Sequence, residues 1–133
     1  MKAKTELKRN DLVYPDLSYQ IIGILFEIYK QIGSGYQEKY YQKIVAAELK
    51  NCNLNYKEQV PTPIIYKGNK IGVYFLDFLI ENKIILELKR GDKFSQKYIE
   101  QVYAYLKATG LKLGIIAAFT RNGVKSKRIV NII

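Results

Sequence analysis

Histidine is absent from the 133 residues, and cysteine occurs once, at Cys52. Without imidazole there is no side chain that titrates near neutrality unaided, so histidine general bases and the histidine motifs of zinc hydrolases and His-based nucleases are excluded. A single thiol permits no internal disulfide, no thiolate zinc site and no CxxC redox pair. Any catalysis must rest on carboxylates, lysine and a metal ion. No stretch approaches the run of about 20 apolar residues that a membrane span needs. The opening residues MKAKTELKRN carry both charge signs and no apolar run of secretory-signal length. The expected address is the cytoplasm, with no membrane partner.

What is present fits a soluble globular chain: 48% hydrophobic and 26% charged residues. The length suits one domain over residues 1–133, with residues 1–14 set apart as a flexible start. Lys and Arg number 22 against 12 Asp and Glu, a formal charge of +10. Such an excess attracts polyanions by releasing their condensed counterions, which makes nucleic acid the expected partner. The alternative is a biased genome, since Lys, Ile, Asn and Tyr share A/T-rich codons.

Leu17, Ile21, Leu25, Tyr29 and Ile32 recur at helical spacing, which predicts a helix over 16–33 stopped by Gly33-Ser34-Gly35. A second helix is predicted over about 36–50, burying Tyr41, Ile44, Val45 and Leu49. From Gln59 to Arg90 the pattern is extended and broken at Gly68-Asn69 and near Asn82-Lys83, implying a three-stranded meander. Helical spacing returns from Phe94 to Thr109 through Tyr98, Val102, Tyr105 and Leu106, with Gly110 at the C-cap. An apolar strand follows to Thr120, expected to lie parallel to an earlier strand because it follows a helical crossover. A last basic turn or helix is expected over about 124–130. The class is mixed α/β or α+β around a small sheet flanked by helices.

Within YFLDFLI, Asp77 interrupts an apolar run, and within IILELKR, Glu87 and Lys89 interrupt another. Buried charges are costly unless paired or metal-bound. Period two places Ile85, Glu87 and Lys89 on one face, and Asp77 with Phe75 and Leu79. If Ile80 pairs with Ile84 across Glu81-Asn82-Lys83, Asp77 stands opposite Glu87, since 77 + 87 = 80 + 84. Opposed carboxylates repel, and a hard divalent cation between them, Mg²⁺ by preference, relieves that repulsion. Lys89 would then reach a phosphate or an attacking water. The rival reading is a partly buried ion cluster, or an edge strand with a solvated face.

Glu38, just past Gly35, is either a further metal ligand or an acid favoured by the dipole of a first helical turn. Gln101 and Tyr105 stand one helical turn apart and can meet one ligand, or can belong to an ordinary half-buried helix face. Lys93, Lys97, Arg121, Lys125, Lys127 and Arg128 are candidate phosphate contacts, or plain solvated surface.

The run Gly35-Tyr-Gln-Glu38-Lys-Tyr-Tyr41 is similar to the signature of the GxxExxY family, a group placed in the PD-(D/E)xK nuclease superfamily. The similarity extends from about Leu17 to Arg128, through EQVPTPIIYKGNKIGVYFLDFLI, IILELKR and IEQVYAYLKATGLKLGIIAAF. The resemblance implies a restriction-endonuclease-like αβββαβ core. It places Asp77, Glu87 and Lys89 on the catalytic motif, Glu38 on the first-helix acid, and Gln101 and Tyr105 on the QxxxY element of RecB-like nucleases. Tyr29 stands where relatives often carry a histidine that is not part of that motif. The implied activity is hydrolysis of phosphodiester bonds, in DNA by expectation, with Mg²⁺ or Mn²⁺ held by Asp77, Glu87, the Leu88 carbonyl and Glu38. Three alternatives remain: a Holliday-junction resolvase, which would act as a homodimer, a non-catalytic nucleic-acid-binding module, and a purely structural or partner-binding protein.

Overall fold

The computed structural model describes residues 13–91 and 94–131. Helix α1 (Pro15–Ile32) starts on proline, whose fixed φ suits a first helical position, and ends at Gly33 with φ +67°. Helix α2 (Glu38–Asn51) begins on Glu38 itself. Strands β1 (Tyr56–Tyr66), β2 (Asn69–Ile80) and β3 (Ile84–Leu88) form the antiparallel meander. Helix α3 (Gln96–Thr109) is capped by the Ser95 hydroxyl, which accepts from the Tyr98 N–H, and closes at Gly110 in the left-handed region. Strand β4 (Leu113–Thr120) then pairs parallel with β3, as a helical crossover requires.

The expected terminal turn or helix is instead a strand, β5 (Gly123–Val130), paired antiparallel with β4 through a tight turn in which Thr120 Oγ1 donates to the Gly123 carbonyl. Its alternation explains the correction. Val124 and Val130 pack on one side of the sheet and Ile129 on the other, so the segment has too little apolar surface to be recognised alone and is fixed by the edge of β4. The result is a five-stranded mixed sheet in the order β1-β2-β3-β4-β5, flanked by helices in the restriction-endonuclease-like manner.

Two apolar layers sandwich this sheet. Ile21, Leu25, Ile28, Val45 and Leu49 from α1 and α2 meet Phe78, Ile80, Leu86, Leu88 and Ile115 on one face. Val102, Tyr105 and Leu106 from α3 meet Leu76, Ile85 and Ile116 on the other. Gly114 makes the second layer possible: a Cβ there would lie 2.6 Å from Val102 Cγ1. Arg128 ties α1 to β5, donating to the Ser18 hydroxyl and, at 2.8 Å, to the Val13 carbonyl. The outer edge of β1 carries Pro61 and Pro63, which lack the N–H that another strand would need. Among the described residues no helix is long and apolar enough to cross a membrane.

Candidate active site

The register of β2 and β3 is the one the loop length predicts. Ile80 pairs with Ile84 and Phe78 with Leu86, so the next opposed residues are Asp77 and Glu87. The turn between them holds Glu81 and Asn82 at φ +53° and +55°. The Glu81 carboxylate compensates by accepting from the Asn55 N–H at 2.6 Å while its own N–H donates to the Asn55 carbonyl. Beyond Phe78 the ladder changes character. The Asp77 N–H donates to Glu87 Oε1 at 3.2 Å, and the Leu88 N–H donates to Asp77 Oδ2 at 2.9 Å. Side-chain carboxylates have replaced main-chain carbonyls as acceptors, which holds the two acids beside each other across the strands.

At the same place the alternation of β2 breaks. Leu76 packs against α3, yet Phe78, two residues on, packs against α1 and α2. Residues two apart in a regular strand share a face. Pairing with β1 skips the Gln59–Asp77 position, and Gln59 sits in the left-handed region at φ +49°. Both strands thus reverse their faces at Asp77. The expectation that Phe75 and Leu79 lie on one side with Asp77 is corrected: Leu79 packs toward α3, whereas Phe75 is exposed. The reversal brings Tyr74 onto the face of Glu87, where its hydroxyl donates to Glu87 Oε2 at 3.3 Å. Period-two reasoning puts Tyr74 on the opposite side from Asp77, so the sequence carried no signal for it.

Glu87 is 1% exposed. Burial pushes its carboxyl up to about 8, the Asp77 charge adds to the rise, and the Asp77 N–H and Lys89 oppose it. Burial likewise raises Tyr74, helped by the Glu87 charge. Tyr105 stacks on Tyr74 with ring centroids 4.2 Å apart and is pushed up to about 12 by burial and by Glu87, against interactions with Gln101 and Tyr74. Gln101 thus meets Tyr105, and Tyr105 meets Tyr74, whose hydroxyl donates to Glu87.

Glu38, Leu88 and Lys89 line an open cleft of about 230 Å³. It lies at the C-terminal ends of the parallel strands β3 and β4, where α/β sheets commonly place their sites. Its remaining walls come from the α1–α2 turn (Ser34, Gly35, Tyr36), from Tyr41, and from Arg90, Phe119 and Arg121. Burial raises the Glu38 carboxyl and Asp77 adds to the rise, while Lys89 and Arg90 lower it, so these four charges share one field. Lys89 lies over the ring of Tyr98 at 4.6 Å, a cation–π contact that steadies the ammonium from α3. Neither Tyr98 nor Arg90 was singled out from the sequence. Arg90 directly follows Lys89, and strand alternation alone would send it to the opposite face.

Among the described residues no three carboxylates or thiols gather as a ready-made metal cage. Asp77 and Glu87 are adjacent, and Glu38 stands on the cleft wall rather than closing a triad with them. The pair nevertheless suits a hard divalent cation: its donors are oxygens, and the burial and repulsion that raise Glu87 are what a bound cation would reverse. Of the basic residues expected at phosphates, Arg121 lines the cleft. Lys97, Lys125 and Lys127 are exposed on α3 and β5, and Lys93 lies outside the described residues. Arg128 is half-buried and committed to α1, which removes it from the surface set.

With this geometry in place, comparison with known proteins assigns the class. A family model of the PD-(D/E)XK nuclease superfamily matches residues 15–130, and the chain belongs to that superfamily. Among solved structures, the one titled "Crystal structure of SSO0001" superposes with a TM-score of 0.54 at 22% identity, covering 71% of this chain and 50% of that one, a likeness of fold. The chain thus spans about half the length of that protein. No curated protein matches the sequence. Members of that superfamily are nucleases, and they commonly use divalent metals.

Proposed function

We propose that the chain hydrolyses phosphodiester bonds of DNA with Mg²⁺ as the physiological ion and Mn²⁺ as a substitute, and that it is a member of the GxxExxY group. The observation that carries this reading is the Asp77–Glu87 pair, hydrogen-bonded through each other's strands with Lys89 two residues on. Asp77, Glu87 and the Leu88 carbonyl would hold the ion, with Glu38 adding a carboxylate from the cleft wall. When bound, the cation polarises the scissile phosphate and neutralises the charge that develops on it. Lys89 places an ammonium beside the phosphate, and its contact with Tyr98 limits the wandering of a long side chain. Tyr74 orients the Glu87 carboxylate, Tyr105 backs Tyr74 from α3, and Gln101 holds Tyr105. Arg121, Lys97, Lys125 and Lys127 draw in the phosphate backbone.

The test is cleavage of linear, circular, single-stranded and branched DNA in Mg²⁺ or Mn²⁺ by the wild type, Glu87→Ala and Lys89→Ala. Loss of cleavage in both folded variants and in chelator is expected. Cleavage that survives Glu87→Ala or chelator would refute the assignment. Preference for four-way junctions by a dimer would mark a resolvase, and salt-sensitive binding without cleavage would mark a binding module.

A further inference from the structure

The cleft has an aromatic wall that the carboxylates and Lys89 do not account for. Tyr41 stacks on Phe119 with centroids 4.2 Å apart and planes 7° from parallel, and its hydroxyl donates to the Gly33 carbonyl at 2.6 Å. Tyr36 stands edge-on to Tyr41, at 5.9 Å and 82°. Tyr41 is 5% exposed but Tyr36 is 52% exposed, so Tyr36 is the member of this braced set of three that is open to solvent at the cleft. Arg90 and Arg121 line the same cleft, and both are exposed. A fixed open ring beside two guanidinium groups is the combination that receives an unpaired nucleotide, with the base on the ring and the backbone phosphates on the cations. A paired base has both faces stacked on its neighbours and offers none to a side chain.

We infer that the substrate enters as an unpaired strand, with a base stacked on Tyr36 and flanking phosphates on Arg90 and Arg121. This rests on the nuclease reading, of whose residues Glu38, Leu88 and Lys89 line this cleft, and adds the strand state of the substrate.

The test is fluorescence-anisotropy titration of wild type, Tyr36→Ala and Tyr36→Phe in EDTA, with a labelled single-stranded DNA oligonucleotide and with its duplex. The wild type should bind the single strand more tightly than the duplex. Tyr36→Ala should weaken single-strand binding about tenfold, as expected for one lost base–aromatic stack. Tyr36→Phe should retain it, because the ring and not the hydroxyl is required. Circular dichroism of Tyr36→Ala confirms that the fold is intact. Equal or tighter duplex binding, or a Tyr36→Ala protein that binds like the wild type, would overturn the inference. Because binding is read without turnover, the two ideas fail separately. Cleavage with duplex preference sinks the strand assignment alone, and Tyr36-dependent single-strand binding without cleavage sinks the nuclease reading alone.

Discussion

Replacing Glu87 by Gln should stabilise the metal-free protein at alkaline pH and leave it unchanged in mild acid. Glu87 is buried beside Asp77, and its carboxyl is raised from 4.5 to about 8. Between these values the folded protein keeps a proton on Glu87 that the unfolded chain gives up. The native state then binds more protons, and stability falls as pH rises from about 4.5 to about 8. A shift of that size, 8 − 4.5, corresponds to at most about 5 kcal/mol, and relaxation of the site together with water entry leaves roughly 2 kcal/mol. Glutamine keeps the shape and an oxygen that accepts from the Asp77 N–H, but carries no charge at any pH. For a domain of this length, each kcal/mol moves Tm by about 4 °C. Thermal denaturation in EDTA, followed by circular dichroism, should place the variant roughly 8 °C above the wild type at about pH 9 and level with it at about pH 5. Added Mg²⁺ should raise the wild-type Tm at the higher pH and leave the variant's unmoved. A variant less stable than the wild type at both pH values would refute this expectation and show that Glu87 stabilises the fold through an ion pair with Lys89.

Gly114→Ala drives a Cβ against Val102 Cγ1 and should cost about 1–3 kcal/mol in urea denaturation. Adding Val102→Ala should recover part of that loss, a non-additive result that separates a steric clash from loss of strand flexibility. Arg128→Ala removes the bonds to Ser18 and Val13 and should destabilise by about 1–3 kcal/mol, with the salt dependence of DNA binding unaltered; a shallower salt slope would return Arg128 to the phosphate contacts. Tyr74→Phe deletes the donor to Glu87 and should raise the Mg²⁺ concentration for half-maximal cleavage about tenfold or more, a shift that a purely packing role would not produce.

Glu38 shows how local sequence and tertiary placement divide the work. Its position after the Gly33-Ser34-Gly35 break made a first-turn acid legible, and α2 does begin on it. That it faces Lys89 and Arg90 across a cleft could be known only once α2 was packed on the sheet. Arg128 is the converse case. In sequence it is one more cation in a basic tail, and only the docking of α1 against β5 turns it into a tie between elements.

The sequence by itself determined the chemistry available and most of the frame. The lack of histidine left carboxylates and lysine, the helical and strand periods laid out α1 to β4, and a three-residue connection set the Ile80–Ile84 pair and with it Asp77 opposite Glu87. Those features are local, decided by residue type and spacing within one or two elements. The tertiary structure alone decided the face reversal at Gln59 and Asp77, the recruitment of Tyr74, the Lys89–Tyr98 contact and the strand character of β5. Each of these arises between separate elements, where packing against a neighbour outweighs the weak preference of the backbone on its own.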